Sequence, residues 1–143
     1  METHLGSKIW SEQLIREVIE VVRPVNTPEV YSISFRNKVK SFCHGNYGKF
    51  YTEAYRITLC VPEHHLFPIE GNKKVTKTPF HLKDDIEYLV TVMAHEYWHA
   101  YQWINLNHLY KGEKYWLERG AEEREAIALA RWNDYLQLKG EKK

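Results

Sequence analysis

Asp84-Asp85-Ile86-Glu87-Tyr88-Leu89-Val90-Thr91-Val92-Met93-Ala94-His95-Glu96-Tyr97-Trp98-His99 is the stretch on which the reading of this chain turns. Ile86, Leu89, Val90, Met93, Ala94, Tyr97 and Trp98 recur at three- and four-residue steps, the period of an α-helix. Asp84 or Asp85 can cap its start, and the pattern runs to about Asn105. The helix is apolar around much of its circumference, so it belongs at the centre of the fold. At its heart lies His95-Glu96-Tyr97-Trp98-His99, an HExxH pentad. Four residues is just over one turn, so both imidazoles project from one face and can grip a single ion. Glu96 sits about 100° round the helix from His95, beside such an ion rather than on it. A carboxylate there can take a proton from a water molecule and pass it to a leaving amine.

A catalytic zinc site takes three protein ligands and keeps the fourth position for water. No His follows His108 and no Cys follows Cys60, so a third ligand beyond the pentad is expected to be a carboxylate. The segment Trp116-Leu117-Glu118-Arg119-Gly120-Ala121-Glu122-Glu123-Arg124-Glu125-Ala126 supplies four, within a helix read from about Trp116 to Leu138. Two helices that meet at a metal approach closely, so the ligand should share its face with small residues. Glu123 has Ala126 and Ala130 at i+3 and i+7, which leaves an alanine strip along its face. Glu118 has Ala121 at i+3 and Glu122 at i+4, the latter able to orient an imidazole. Glu122 and Glu125 are also possible, so all four glutamates stay open as the third ligand on this reading.

Working outward, Ile9, Trp10, Leu14, Ile15, Val18, Ile19 and Val22 form an amphipathic helix from Ser7 to Arg23, which Pro24 stops. Three short extended pieces follow: Val30–Arg36, Lys38–His44 and Tyr55–Val61. Consecutive short strands suggest an antiparallel meander, with Tyr55, Ile57, Leu59 and Val61 sharing one face of the last. Glu63 to Lys83 reads as a loop. The expected fold is thus a single α+β domain over residues 1–143. It has an N-terminal helix, a short antiparallel sheet of about three strands, a central HExxH helix and a C-terminal helix bearing the glutamates.

Composition narrows the function classes. The chain has 143 residues, 43% hydrophobic and 27% charged, in the range of globular proteins and unlike a disordered chain. Twenty basic residues balance nineteen acidic ones, which argues against a nucleic-acid partner bound through a broad basic face. No apolar run approaches the ~20 residues of a membrane helix, and Met1-Glu2-Thr3-His4 does not begin a signal peptide. Cys43 and Cys60 make no disulfide framework, so a reducing cytoplasm is expected. Aromatic residues reach 14%, with ten Tyr and five Trp, so the core should be built from large rings with polar edges.

The HExxH pentad and the Glu-rich helix that follows it resemble those of gluzincin-type zinc metallopeptidases, in their minimal single-domain form, which includes the ImmA/IrrE-like peptidases. The resemblance implies a zincin-like fold, one Zn2+, His95 and His99 as zinc ligands and Glu96 as general base. Relatives often write the third ligand as Glu-x-x-Ala followed by Asp or Asn, which Glu123-Arg124-Glu125-Ala126 matches in its first four places. Ile127 departs at the fifth, whereas Glu118 begins a Glu-x-x-Ala-Glu that ends in an acid; the resemblance ranks Glu123 first as third ligand, with Glu118 and Glu125 behind it. The resemblance also implies hydrolysis of a peptide or protein substrate, of narrow specificity, bound as an added strand. Tyr55–Val61 is the strand expected to receive it, with His64 and His65 near the cleft. His108, Tyr110 and Tyr115 are candidates for a residue that stabilises the oxyanion. A catalytically silent binding module of the same fold is a second possible function, and two histidines with no metal at all is a third reading.

Overall fold

The computed structural model describes residues 2–4, 10–36, 48–60, 69–70, 81–106 and 114–140. In chain order the elements are β1 (Glu2–His4), α1 (Glu12–Val22), β2 (Ser32–Arg36), β3 (Gly48–Tyr51), β4 (Arg56–Cys60), β5 (Ile69–Glu70), β6 (His81–Leu82), α2 (Asp85–Asn105) and α3 (Lys114–Leu138). The α+β layout expected from the sequence is the one found.

The sheet differs from a meander. Its order is β1-β2-β4-β3, with β1, β2 and β4 parallel and β3 antiparallel to β4. Helix α1 is the crossover that joins parallel β1 and β2, as such a connection requires. The β3–β4 hairpin then folds back so that β4 lies inside the sheet and β3 at its edge. The expected strand Lys38–His44 lies outside the described residues. Strand β3 is not among the expected pieces, and it opens at Gly48. Within the expected loop, β5 and β6 form a separate antiparallel pair.

One sheet face carries Ile33, Phe35, Phe50, Ile57 and Leu59, all buried. Removing each such side chain from water contributes about 1.5–3 kcal/mol. The same core contains Ile15, Val18, Ile19 and Val22 of α1 and Tyr88, Leu89, Met93 and Tyr97 of α2. Helix α1 is capped by Ser11, whose hydroxyl accepts from the Leu14 amide, four residues later than the expected start at Ser7. Helix α2 is capped from both sides. Asp84 Oδ1 accepts from the Glu87 amide at 2.9 Å, and Glu87 Oε1 accepts from the Lys83 amide at 2.9 Å. This resembles a capping box with Asp as the N-cap, except that Glu87 reaches back to the amide of Lys83, one residue before the cap.

The rings do have polar edges that find partners. Tyr88 Oη donates to the Cys60 carbonyl at 2.6 Å, and Tyr55 Oη to that of Pro28 at 2.7 Å. Tyr97, inside the HExxH pentad, accepts the Val30 amide on its Oη at 3.1 Å and is fully buried. Burial pushes its phenol up to about 12. Tyr97→Phe is expected to strand the Val30 N–H and destabilise the protein by about 1–3 kcal/mol, read as a lower denaturation midpoint with an unchanged slope.

Two further expectations change. Tyr55 is not a strand residue: its φ of 48° places it in the left-handed region at the end of the β3–β4 turn. Its amide donates to Thr52 O and its carbonyl accepts from Tyr31, so hydrogen bonds on both sides hold it there. Cys60 is disulfide-bonded, against the expectation that the cysteines of this chain make no disulfide framework. Among the described residues, no helix is long and apolar enough to cross a membrane.

Candidate metal centre

Helices α2 and α3 pack side by side, and the centre forms between them. The face that α3 turns inward carries Leu117, Ala121, Glu122, Glu125, Ala128 and Trp132, all buried, at helical spacing. Glu118 lies at its margin, half-buried. One Glu118 oxygen is 3.2 Å from His95 Nε2 and the other is 3.1 Å from His99 Nε2. His95, His99 and Glu118 each offer a donor atom, and these atoms lie within 4.8 Å of one another, close enough to hold a metal ion.

Glu123 is not in this group. It points away from α2, 54% exposed, and its carboxylate accepts from Arg119 Nε at 3.3 Å one turn back. The alanine strip that favoured it, Ala126 and Ala130, is exposed as well. The close approach of the helices is instead made through Ala121 and Ala128, which belong to the phase of Glu118 and Glu125. Glu125 lies behind the centre, and Glu122 is buried beside it on the same inward face.

The far side of each imidazole is also occupied. His95 Nδ1 is 2.6 Å from Glu125 Oε2, and His99 Nδ1 is 2.9 Å from Gln102 Oε1. Both partners present acceptor oxygens, so each Nδ1 carries the proton and each Nε2 presents its lone pair to Glu118. Two lone pairs facing a carboxylate need a cation between them. In the protein alone a proton on His95 meets that need. Desolvation would lower the His95 pKa, but hydrogen bonds to Glu118 and Glu125 override it and hold the ring well above the usual imidazole range. Desolvation likewise opposes Glu118, yet its bonds to the two histidines hold its carboxyl far below the ordinary range. Burial raises Glu125 to about 7 in spite of its bond to His95. Two imidazoles and one carboxylate, with both rings oriented from behind, form a donor set that suits a divalent transition metal.

Glu96 stands next to this group without joining it. It is buried, with 5% of its surface exposed, and is bonded by the Phe50 backbone amide of edge strand β3. Desolvation raises its carboxyl pKa, and the nearby His95 and His99 only partly oppose that. Its neighbour on β3 is Gly48, where a Cβ would lie 3.2 Å from Glu96 Cγ, 2.7 Å from Leu59 Cδ2 and 3.1 Å from Thr58 O. Only the missing side chain lets the edge strand come this close. Gly48→Ala is expected to cost about 1–3 kcal/mol of stability by overpacking and to displace Glu96, checked by denaturant unfolding.

Gln102, Gly48 and the role of Glu125 were not evident from the sequence. Gln102 lies one turn beyond His99 and so on its face, which is the signal that could have found it. His64, His65, His108, Tyr110, Cys43 and His44 lie outside the described residues, as does the side chain of Tyr115. No protein-family model, curated protein or solved structure matches this chain.

Proposed function

We propose that this protein is a zinc-dependent peptidase in which His95, His99 and Glu118 hold the ion and Glu96 is the general base. The two-histidine, one-carboxylate set alone would also suit iron(II). The observation that carries the hydrolytic reading is Glu96, a further carboxylate buried beside the set, with its pKa raised and its place outside the group of possible ligands. A zinc ion held there would polarise a peptide carbonyl and make water a better nucleophile at neutral pH.

The chain's own groups then act in order. Glu125 and Gln102 hold the two rings so that both Nε2 atoms face Glu118. Glu96 takes a proton from the attacking water onto its carboxylate and returns it to the departing amine nitrogen. Its raised pKa suits the first transfer, since a carboxylate of ordinary acidity would be a weaker base.

A peptide substrate can lie along the edge of β3 as an added strand. The expected strand, β4, is paired on both sides, whereas β3 has a partner on one side only among the described residues. A peptide so placed would run past Gly48 and Phe50, the two β3 residues that touch Glu96. The test is incubation of the zinc-loaded protein with a proteome-derived peptide library, with new termini read by mass spectrometry. New termini that vanish when a chelator is added are expected. A library left intact would refute the peptidase reading.

A further inference from the structure

We infer that Gln102 is a positioning residue that uses the carbonyl of Leu117, next to the third ligand, to set the tautomer of His99. The inference rests on reading His95, His99 and Glu118 as metal ligands, and it assigns a role to a residue outside the HExxH pentad.

Hydrogen-bond polarity fixes which way the amide points. A backbone carbonyl can only accept a hydrogen bond. Gln102 Nε2 lies 3.1 Å from Leu117 O, so the amide nitrogen must be on that side. The amide oxygen is thereby turned to His99, 2.9 Å from Nδ1. An oxygen acceptor requires that His99 carry its proton on Nδ1, and this leaves Nε2 bare and facing Glu118 at 3.1 Å. Gln102 is buried at 4% exposure, so water does not readily substitute for either bond. One side chain thus links the α2 ligand His99 to the α3 backbone one residue before Glu118, and fixes both ends of that link by the direction of one amide.

Helix α3 leaves room for it. At Gly120 an added Cβ would lie 3.2 Å from Gln102 Nε2 and 3.0 Å from Trp98 Nε1. Trp98 is held in place by stacking on Tyr101, with ring centroids 4.3 Å apart, and by Arg124 across its ring at 4.5 Å. The absence of a side chain at residue 120 therefore lets the amide sit between the helices, and a methyl group there would press directly on it.

The test measures zinc affinity, by competition with a chelating dye, for the wild type, Gln102→Met, Gln102→Glu and Gly120→Ala. Gln102→Met keeps the volume and loses both hydrogen bonds, and should bind zinc about 10–100-fold more weakly, the usual cost of losing a ligand's outer partner. Gln102→Glu keeps an acceptor for His99 Nδ1 and should bind more tightly than the Met variant. A space-filling role alone would make Met the better replacement. Gly120→Ala should also weaken binding, by less, without touching any ligand. In the zinc-loaded wild type the His99 Nδ1 proton should give a slowly exchanging 1H–15N resonance that Gln102→Met loses. Zinc affinity within about threefold of wild type in Gln102→Met, well below the expected loss, would overturn the inference and leave the peptidase reading standing. If Gln102→Met does not fold, the Glu and Gly120→Ala variants decide, and wild-type affinity in both would overturn it. A wild type that takes up no zinc would overturn the metal reading and this inference together.

Discussion

Glu96→Gln is expected to reduce peptide hydrolysis by at least about 10²-fold, the lower end of what a positioned general base contributes. The substitution keeps the volume of the side chain in a fully packed place beside Gly48 and Phe50. It also keeps an oxygen for the Phe50 amide, so the fold and the edge strand should be undisturbed. What it removes is the ability to accept a proton, because an amide oxygen is not a base at neutral pH. Glu96 does not belong to the group that can hold the ion, so metal content should not change. Loss of turnover with metal retained assigns the proton transfer to Glu96. Hydrolysis at the wild-type rate would remove that assignment, and equal binding of a partner by wild type and variant without any turnover would favour a silent binding module.

The second large effect is at Glu118. Glu118→Gln should weaken metal binding by more than about 100-fold, since loss of even an outer partner of a ligand costs ~10–100-fold. The variant loses the negative charge that faces both Nε2 atoms at 3.1 and 3.2 Å. Glu123→Ala is the matched control, on the same helix but turned to solvent with Arg119. It should leave metal affinity unchanged and alter stability by no more than about 0.5 kcal/mol, as is usual for an exposed site. The reverse pattern, with Glu123 required and Glu118 dispensable, would contradict the three-ligand site built on Glu118.

The difference between these two glutamates also shows what could be read from the sequence. The central helix was legible because its apolar period is nearly unbroken and its cap is explicit, and His95, Glu96 and His99 came with it. The third ligand depended on the rotational phase of α3, and there the pattern is blurred. Its buried stripe runs through Leu117, Ala121, Ala128 and Trp132 but also includes Glu122 and Glu125, so charge and burial do not separate along the helix. Ala126 and Ala130 offered a tidier small-residue strip, on the wrong side. The phase was recoverable from Leu117 and Trp132, whose large apolar side chains mark the inward face.

Strand order was less accessible, for a different reason. Alternation tells which face of a strand is buried and says nothing of its neighbours. Ile57 and Leu59 do share a buried face as expected, yet the parallel pairing of β2 with β4 and the edge position of β3 follow from connections that alternation does not encode. Gly48 illustrates the same limit. A glycine near Gly45-Asn46 reads as a turn, whereas here it serves close approach of β3 to Glu96. Gln102 left no motif, because its role lies in the direction of one amide between two helices.

The central claim is that His95, His99 and Glu118 hold one zinc ion. The most direct test is the metal content of the purified protein by elemental mass spectrometry, before and after removal with a chelator and re-addition of zinc. A ratio of about one zinc per chain in the untreated protein, restored after depletion, is the result predicted from a three-ligand catalytic site. A ratio near zero that added zinc cannot raise, or iron in its place, would contradict it.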